Sequence, residues 1–375
     1  MIEEVQKQMV RVSALDEVHL LSGATMTTRD GWSIPASYGD VLFEYAAVRE
    51  RGAGLIDLFS RGRLLVTGSE AVQFLNGLIT NDMKTLAENH WMPAAFPNVQ
   101  GRLLASVRVI HAPSTTPGGG NGFLIDTEPT THAQVLKTVQ RFTLAGDFHV
   151  TDLTEQTALL SVEGTKAAGI IESLFGETMA ALESHHIAQT SWSGKPLTIM
   201  RASHTGADGF DLMIDSGAAA ELWDALLQTG ARPVGFEAWE ILRIEAGQPA
   251  YGIDMDESNV VSETGLDDAV SFTKGCYIGQ EIIARIKYRG HVAKKLSGLM
   301  LDRPAKIESD TKIASADGKE IGRVTSVTLS PHLGSTIALG YVKYDYLAPG
   351  TEVMLSAGVQ ELTAKVVELP FVRVS

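Results

Sequence analysis

A single cysteine stands among the 375 residues. That excludes an internal disulfide, and with it the stapled architecture of small secreted scaffolds. No stretch approaches the ~20 apolar residues of a membrane-spanning helix. Residues 1–20 carry Glu3, Glu4, Asp16 and Glu17, so the basic start and apolar run of a secretory leader are missing. The expected compartment is the cytoplasm. Positive charge is also scarce: 31 Lys and Arg stand against 45 Asp and Glu, a net charge of −14. A general nucleic-acid binder is excluded, because such affinity rests on attraction to phosphates; a local pocket for one small anion is not. No fixed-period repeat suggests a solenoid, and no Gly-x-Ser-x-Gly nucleophile elbow is present. The ten histidines follow none of the zinc-ligand spacings. Tandem His185-His186 reads as a surface pair, and no metal is expected.

What is present is an ordinary globular composition, 44% hydrophobic and 20% charged. At this length two or three domains are expected. Arg63 to Gly68 reads as a strand ending at a turn, and Ser69 to Leu75 as a capped amphipathic helix. Arg102 to His111 and Phe123 to Asp126 are β-rich runs on either side of the turn-rich segment Thr115 to Gly122. They predict a hairpin with a mobile tip. The glycines of that tip are followed by no Lys-Ser/Thr and no helix start, which argues against a phosphate loop. Phe236 to Ala246 is helical by spacing and stops at Gly247 with Pro249 just beyond; Trp239 reads as part of its core face. Ile278 to Tyr288 reads as a helix with Ile278, Ile282, Ile283 and Ile286 on one face. Beyond Leu296, short strand-like runs at 296–301, 322–329, 336–342, 352–355 and 362–367 predict a separate β-barrel or sandwich.

The lone cysteine lies in Lys274-Gly275-Cys276-Tyr277-Ile278-Gly279-Gln280-Glu281. Gly275 and Gly279 leave the backbone free to turn tightly. With a helix starting near Ile278, Cys276 sits just before an amino end whose N–H groups and dipole favour a thiolate, and Lys274 adds positive charge. Glu281 and Arg285 have i,i+4 spacing. The alternative is that Cys276 is a small buried hydrophobe and that Gln280, Glu281 and Arg285 form a solvated face with a weak ion pair.

Residues 274–281 match completely the Lys-Gly-Cys-Tyr-x-Gly-Gln-Glu signature of the YgfZ-type folate-binding proteins. That family is a branch of the glycine-cleavage T-protein (aminomethyltransferase) superfamily, and wider similarity covers most of the chain. Leu78-Ile79-Thr80-Asn81-Asp82, Arg243-Ile244-Glu245-Ala246-Gly247 with Tyr251-Gly252-Ile253-Asp254, Thr325-Ser326 and Gly340-Tyr341-Val342 all resemble superfamily segments. The resemblance implies an α+β fold: two interlocked α+β units around a central folate pocket over residues 1–292, then a C-terminal β-barrel over 293–375. It implies tetrahydrofolate or a derivative as cofactor, with Asn98, Asp208, Arg243, Glu245 and Tyr251 as folate contacts. It also implies a reactive thiol at Cys276, with Lys274 as electrostatic partner and Gly275, Tyr277, Gly279, Gln280, Glu281 and Arg285 as a positioning shell. The implied role is a folate-binding accessory protein supporting assembly or repair of iron–sulfur client proteins. One cysteine cannot supply the four thiolates of a cluster, so any cluster would need external ligands.

Two departures bear on the chemistry. Where aminomethyltransferases carry Asn-x-x-Gly-Gly-x-x-Asp-Asp, this chain has Asn98, Gly101 and Arg102 but then Ala105 and Ser106. Losing a positioned proton-transfer group costs on the order of 10²–10⁴ in rate. At the folate-binding glutamate of the Arg-Thr-Gly-Tyr-Thr-Gly-Glu segment stands Ala207, and His204 replaces a tyrosine. The Tyr251-Gly252 pair leans the other way. It keeps open a tetrahydrofolate-dependent aminomethyltransferase or demethylase that transfers a one-carbon unit.

Overall fold

The structure, a computed structural model, describes residues 10–50, 52–112, 122–144, 146–357 and 360–373. Two antiparallel-rich sheets and a closed barrel carry the chain. The first sheet has five strands in the order His90–Pro97, Leu103–His111, Gly122–Thr127, Gly62–Thr67 and His149–Asp152. The second has six, in the order Ile187–Trp192, Lys195–Arg201, Gly209–Asp215, Thr157–Glu163, Gly54–Asp57 and Arg232–Pro233. Strand Gly54–Asp57 precedes the whole first sheet in the chain yet pairs within the second, against Thr157–Glu163. That crossing interlocks the two α+β units, as expected.

Alternation explains the layers. Along Leu103–His111, Ala105, Val107 and Val109 face the helices of their own unit, while Ile110 joins an apolar layer between the two sheets with Leu65, Leu124, Leu159, Met200 and Met213. Successive strand residues point to opposite faces, so each sheet feeds two cores. Each large apolar side chain buried there contributes about 1.5–3 kcal/mol; the shared layer therefore holds the units together as a domain core would.

The predicted strands 102–111 and 123–126 pair directly as neighbours, and the predicted mobile tip lies outside the described residues. The barrel closes in the order Lys294–Leu301, Ser335–Lys343, Glu320–Ser330, Lys312–Ala314, Glu352–Ala357 and Gln360–Val367. Helix Phe236–Glu245 runs between the barrel and the first two units and ends at Gly247, φ +69°, the left-handed residue its sequence signalled. Among the described residues, no helix is long and apolar enough to cross a membrane.

Candidate functional site

The helix after the cysteine segment runs Gln280–Arg289, two residues later than its apolar spacing predicted. Of the four isoleucines, Ile283 alone is fully buried and Ile278 is exposed. Gly279 caps the helix with φ +79°, and a Cβ there would meet the Asn98 carbonyl oxygen at 2.4 Å. Only glycine permits both the left-handed backbone and that approach. Asn98 Oδ1 accepts from the N–H groups of Gln100 (2.9 Å) and Arg102 (3.0 Å), so its carbonyl is held in a tight turn beneath Gly279. Gly275, by contrast, has open space around it.

Lys274 differs from the expectation most. Its Nζ donates to the carbonyls of Asn76 (2.8 Å), Ile79 (2.9 Å) and Asn81 (2.6 Å), at the end of helix Ala71–Leu78. The Asn76 carbonyl is one that a helix end leaves unpaired; those of Ile79 and Asn81 belong to the cap and the turn that follow. Three donors for three acceptors leave no N–H for the thiol, so Lys274 anchors the segment and donates no hydrogen bond to Cys276. Burial pushes its ammonium down to about 8, against the opposing pull of Asp82. Tyr277 is the second anchor. It is buried with Ala95, Leu103, Met255, Val261 and Ile283, with Lys274 Nζ 5.0 Å from its ring centre, and burial raises its hydroxyl to about 12. Between these anchors Cys276 is exposed, neither a buried hydrophobe nor a residue of the helix end. Glu281 and Arg285 do pair, at 3.2 Å, on the solvated face.

A cavity of about 780 Å³, mouth included, opens where the two units meet the start of helix Phe236–Glu245. Ile34, Ile56, Leu58 and Val234 form its apolar floor; Phe236, Trp239 and Tyr251 bring aromatic rings. Arg29, Arg61, Asp30, Asp57 and Glu128 bring charge. Trp239, read from spacing as core, lines this cavity, and its indole N–H is buried without a partner. From Arg61 a buried ionic chain runs inward. Arg61 Nε meets Asp126 at 2.8 Å, Arg108 Nε meets Asp126 at 2.6 Å, Arg108 also meets Asp211 at 2.6 Å, and His204 Nε2 meets Asp211 at 3.0 Å. Burial opposes ionisation of Asp126, yet Arg108 and Arg61 hold its carboxyl below the usual range. For Asp211 burial is likewise outweighed, by His204 and Arg108, and the carboxyl lies far below it. The chain stitches the first sheet to the second. His204 is thus a partner of Asp211.

Of the five implied folate contacts, Tyr251 lines the cavity; burial, then Glu257 and Asp256, raise its hydroxyl. The other four are engaged elsewhere. Asn98 forms the turn described above, and Asp208 pairs with Arg201. Arg243 is fully buried, with its guanidinium divided among Glu240, Asp254 (2.8 Å), Ser326 (2.9 Å) and the Gln248 carbonyl (3.1 Å). All five of its N–H donors are taken. Glu245 accepts from Tyr45 (2.8 Å), Arg49 (2.8 Å) and Ser330 (2.5 Å). Both residues therefore serve as joints between helix Phe236–Glu245, the barrel and the first helices, and their polar atoms are spent there. Ala105 is buried in the first unit's own core, and Ala207 in the layer between the sheets. Asp57, Arg61 and Glu128 line the cavity although no motif or spacing pointed to them; they come from separate strand ends.

The comparisons with known proteins agree over the whole chain. The family model described as GCVT N-terminal domain matches residues 15–274, and that described as glycine cleavage T-protein C-terminal barrel domain matches 294–373. The chain is 32% identical to an aminomethyltransferase of Rubrobacter xylanophilus, with 98% of this chain and 96% of the relative covered. It is 31% identical to one of Geobacillus kaustophilus, with 97% and 99% covered. The crystal structure of glycine cleavage system aminomethyltransferase T from Bartonella henselae shares the fold, with a TM-score of 0.88 at 24% identity over 97% of this chain and 98% of that one. With both halves matched in order and full-length relatives above 30% identity, the chain belongs to the glycine-cleavage T-protein (aminomethyltransferase) superfamily.

Proposed function

We propose that the protein binds a reduced folate in the inter-unit cavity and acts there as a tetrahydrofolate-dependent one-carbon transferase or demethylase. In this reading residues 1–292 form the folate-binding region and 293–375 its supporting barrel. The observation that carries it is the make-up of the lining, in which the rings of Phe236, Trp239 and Tyr251 stand beside the carboxylates of Asp57 and Glu128 and the guanidinium groups of Arg29 and Arg61. Aromatic faces stack on a flat conjugated ring, and the few charged groups among them fix its orientation. The remaining lining supports the same ligand. A flat pterin suits an aromatic-rimmed apolar wall, its N–H groups need the carboxylates of Asp57 or Glu128, and the glutamate tail needs Arg29 or Arg61.

Bound tetrahydrofolate would supply the nitrogen that accepts a one-carbon unit. The chain's own residues would orient it and exclude water. Ala105 and Ser106 provide no carboxylate at the superfamily's proton-transfer position, so turnover should run about 10²–10⁴ below that of a carboxylate-bearing site. The test is calorimetry with 5-formyltetrahydrofolate, followed by assay of methylene- or methyl-tetrahydrofolate formation from amine donors. Binding that Trp239→Ala weakens by about 10-fold or more supports the cavity. Absence of binding by the wild-type protein refutes it.

A second reading rests on a different observation, the exposed thiol of Cys276 between two buried anchors. There the protein would support iron–sulfur client proteins as a YgfZ-type accessory factor, with folate as its ligand. Cys276→Ala should leave the fold intact and abolish rescue of iron–sulfur enzyme activity in a deletion strain. Full rescue by the alanine variant would remove the thiol from the account.

A further inference from the structure

Three carboxylates line the cavity, and their electrostatic settings differ. Asp30 lies 3.6 Å from Arg29, and Glu128 lies 3.7 Å from Arg61. Asp57, whose side chain is 5% exposed, has no Lys or Arg at ion-pair distance among the described residues. Hydrogen bonds hold it, and the buried Arg63 guanidinium attracts it from beyond ion-pair distance. Phe59 N donates to Oδ1 at 2.7 Å; His19 Nε2 meets Oδ2 at 3.0 Å and Ser13 Oγ donates to the same oxygen at 3.3 Å. Behind His19, the Tyr38 hydroxyl meets Nδ1 at 2.8 Å. A single arrangement satisfies every group: Tyr38 donates to Nδ1, and the proton on Nε2 is given to Asp57. The imidazole is almost fully buried and rests edge-on against Trp223, ring centres 5.0 Å apart.

We infer that Asp57 is the cavity's acceptor for one N–H of the ligand, with His19 and Tyr38 as the residues that position it. This rests on the folate reading and deepens it by naming the group that meets the pterin 2-amino group. An ionised carboxylate has about four acceptor positions. His19 and Ser13 take both on Oδ2, and Phe59 takes one on Oδ1. The remaining position is on Oδ1, and Asp57 is among the residues that line the cavity. A buried carboxylate with no cation in contact is costly unless its acceptor positions are filled, so the open position favours a ligand that brings an N–H. The carboxylate also does what Ala207 cannot, from a strand of the sheet whose loop between Lys195–Arg201 and Gly209–Asp215 carries Ala207.

The test is calorimetric titration of the full chain with 5-formyltetrahydrofolate and with its 2-desamino analogue. The wild-type protein should prefer the amino-bearing ligand by about 10- to 100-fold, the value of one charge-assisted hydrogen bond. Asp57→Asn removes the charge, and its one amide oxygen is claimed by the donors of Phe59, His19 and Ser13, so no charged acceptor is left for the ligand. The preference should then collapse to within about 3-fold. Retention of the full preference in Asp57→Asn overturns the inference while leaving the folate reading intact, whereas wild-type protein that binds neither ligand overturns both. Should Asp57→Asn fail to fold, Tyr38→Phe carries the test. It should weaken the amino-bearing ligand and spare the 2-desamino one; an equal loss for both, or none, refutes the positioning role. His19→Gln, which keeps a donor toward Asp57, should bind the amino-bearing ligand better than His19→Phe does, and equal binding by the two refutes it too.

Discussion

Replacing Lys274 by methionine tests the role of that residue as an anchor. The ammonium gains three carbonyl acceptors, yet burial brings it down to about 8 from 10.5. The sign follows from linkage. Between those values the unfolded chain holds the proton and the folded chain does not, so stability rises with pH across the window. Below pH 8 the folded protein carries the full cost of the buried charge. A difference of 2.5 units, at about 1.36 kcal/mol each, is about 3 kcal/mol. Lys274→Met removes the titration. Other lysines and tyrosines also titrate in this range, so the quantity to measure is the difference between wild type and variant. Guanidinium unfolding at pH 7 and pH 10 should show that difference shifting in favour of the wild type by about 2–3 kcal/mol. A difference that stays constant with pH would mean that the three carbonyls offset the burial completely. A shift of opposite sign would mean that they exceed it.

Two further changes test the backbone and the joints. Gly279→Ala should cost about 2–4 kcal/mol, from a left-handed residue with a Cβ against the Asn98 carbonyl, whereas Gly275→Ala, in open space, should change the denaturation midpoint little. Equal effects at the two positions would contradict the packing described. Asp254→Ala leaves the buried Arg243 with Glu240 as its one carboxylate and removes the acceptor shared by Thr325 and Ser326. A loss of about 3–5 kcal/mol is expected, and thermal melting of a cycle with Arg243→Met should show strong coupling; additive losses would argue against the joint.

The fold is readable where physics is local. Gly247 and Pro249 mark the end of helix Phe236–Glu245, and alternation marks all the barrel strands except Lys312–Ala314, which at three residues gives alternation nothing to count. Gly279 is visible as a glycine, but its reason, the Asn98 carbonyl, is about 180 residues away in the sequence. Lys274 looks like a partner for its neighbour Cys276, because sequence shows adjacency and hides the carbonyls at 76, 79 and 81. Arg243 and Glu245 stand out in the sequence as members of a superfamily segment, but the sequence hides the partners in the barrel and the early helix that their polar atoms meet. Buried charges mark both ligand sites and structural joints, and only the partners they meet on burial separate the two. The cavity itself is illegible in the sequence. His19, Tyr38 and Asp57 meet only because strand Gly54–Asp57 is recruited into a sheet otherwise made much later in the chain.

Helix Phe236–Glu245 touches three bodies through two charged residues. Arg243 reaches the barrel through Ser326, and Glu245 reaches both Ser330 and the early helix bearing Tyr45 and Arg49. The Glu245 carbonyl also receives the N–H groups of Phe371 and Val372, near the far end of the chain. Such a closed circuit leaves no single hinge about which one module can swing. Access to the cavity at the other end of this helix must then come from side-chain motion at a fixed mouth, and the speed of ligand exchange should follow the rotamers of Arg29 and Phe236, whose guanidinium and ring lie 4.1 Å apart, more than any movement of domains.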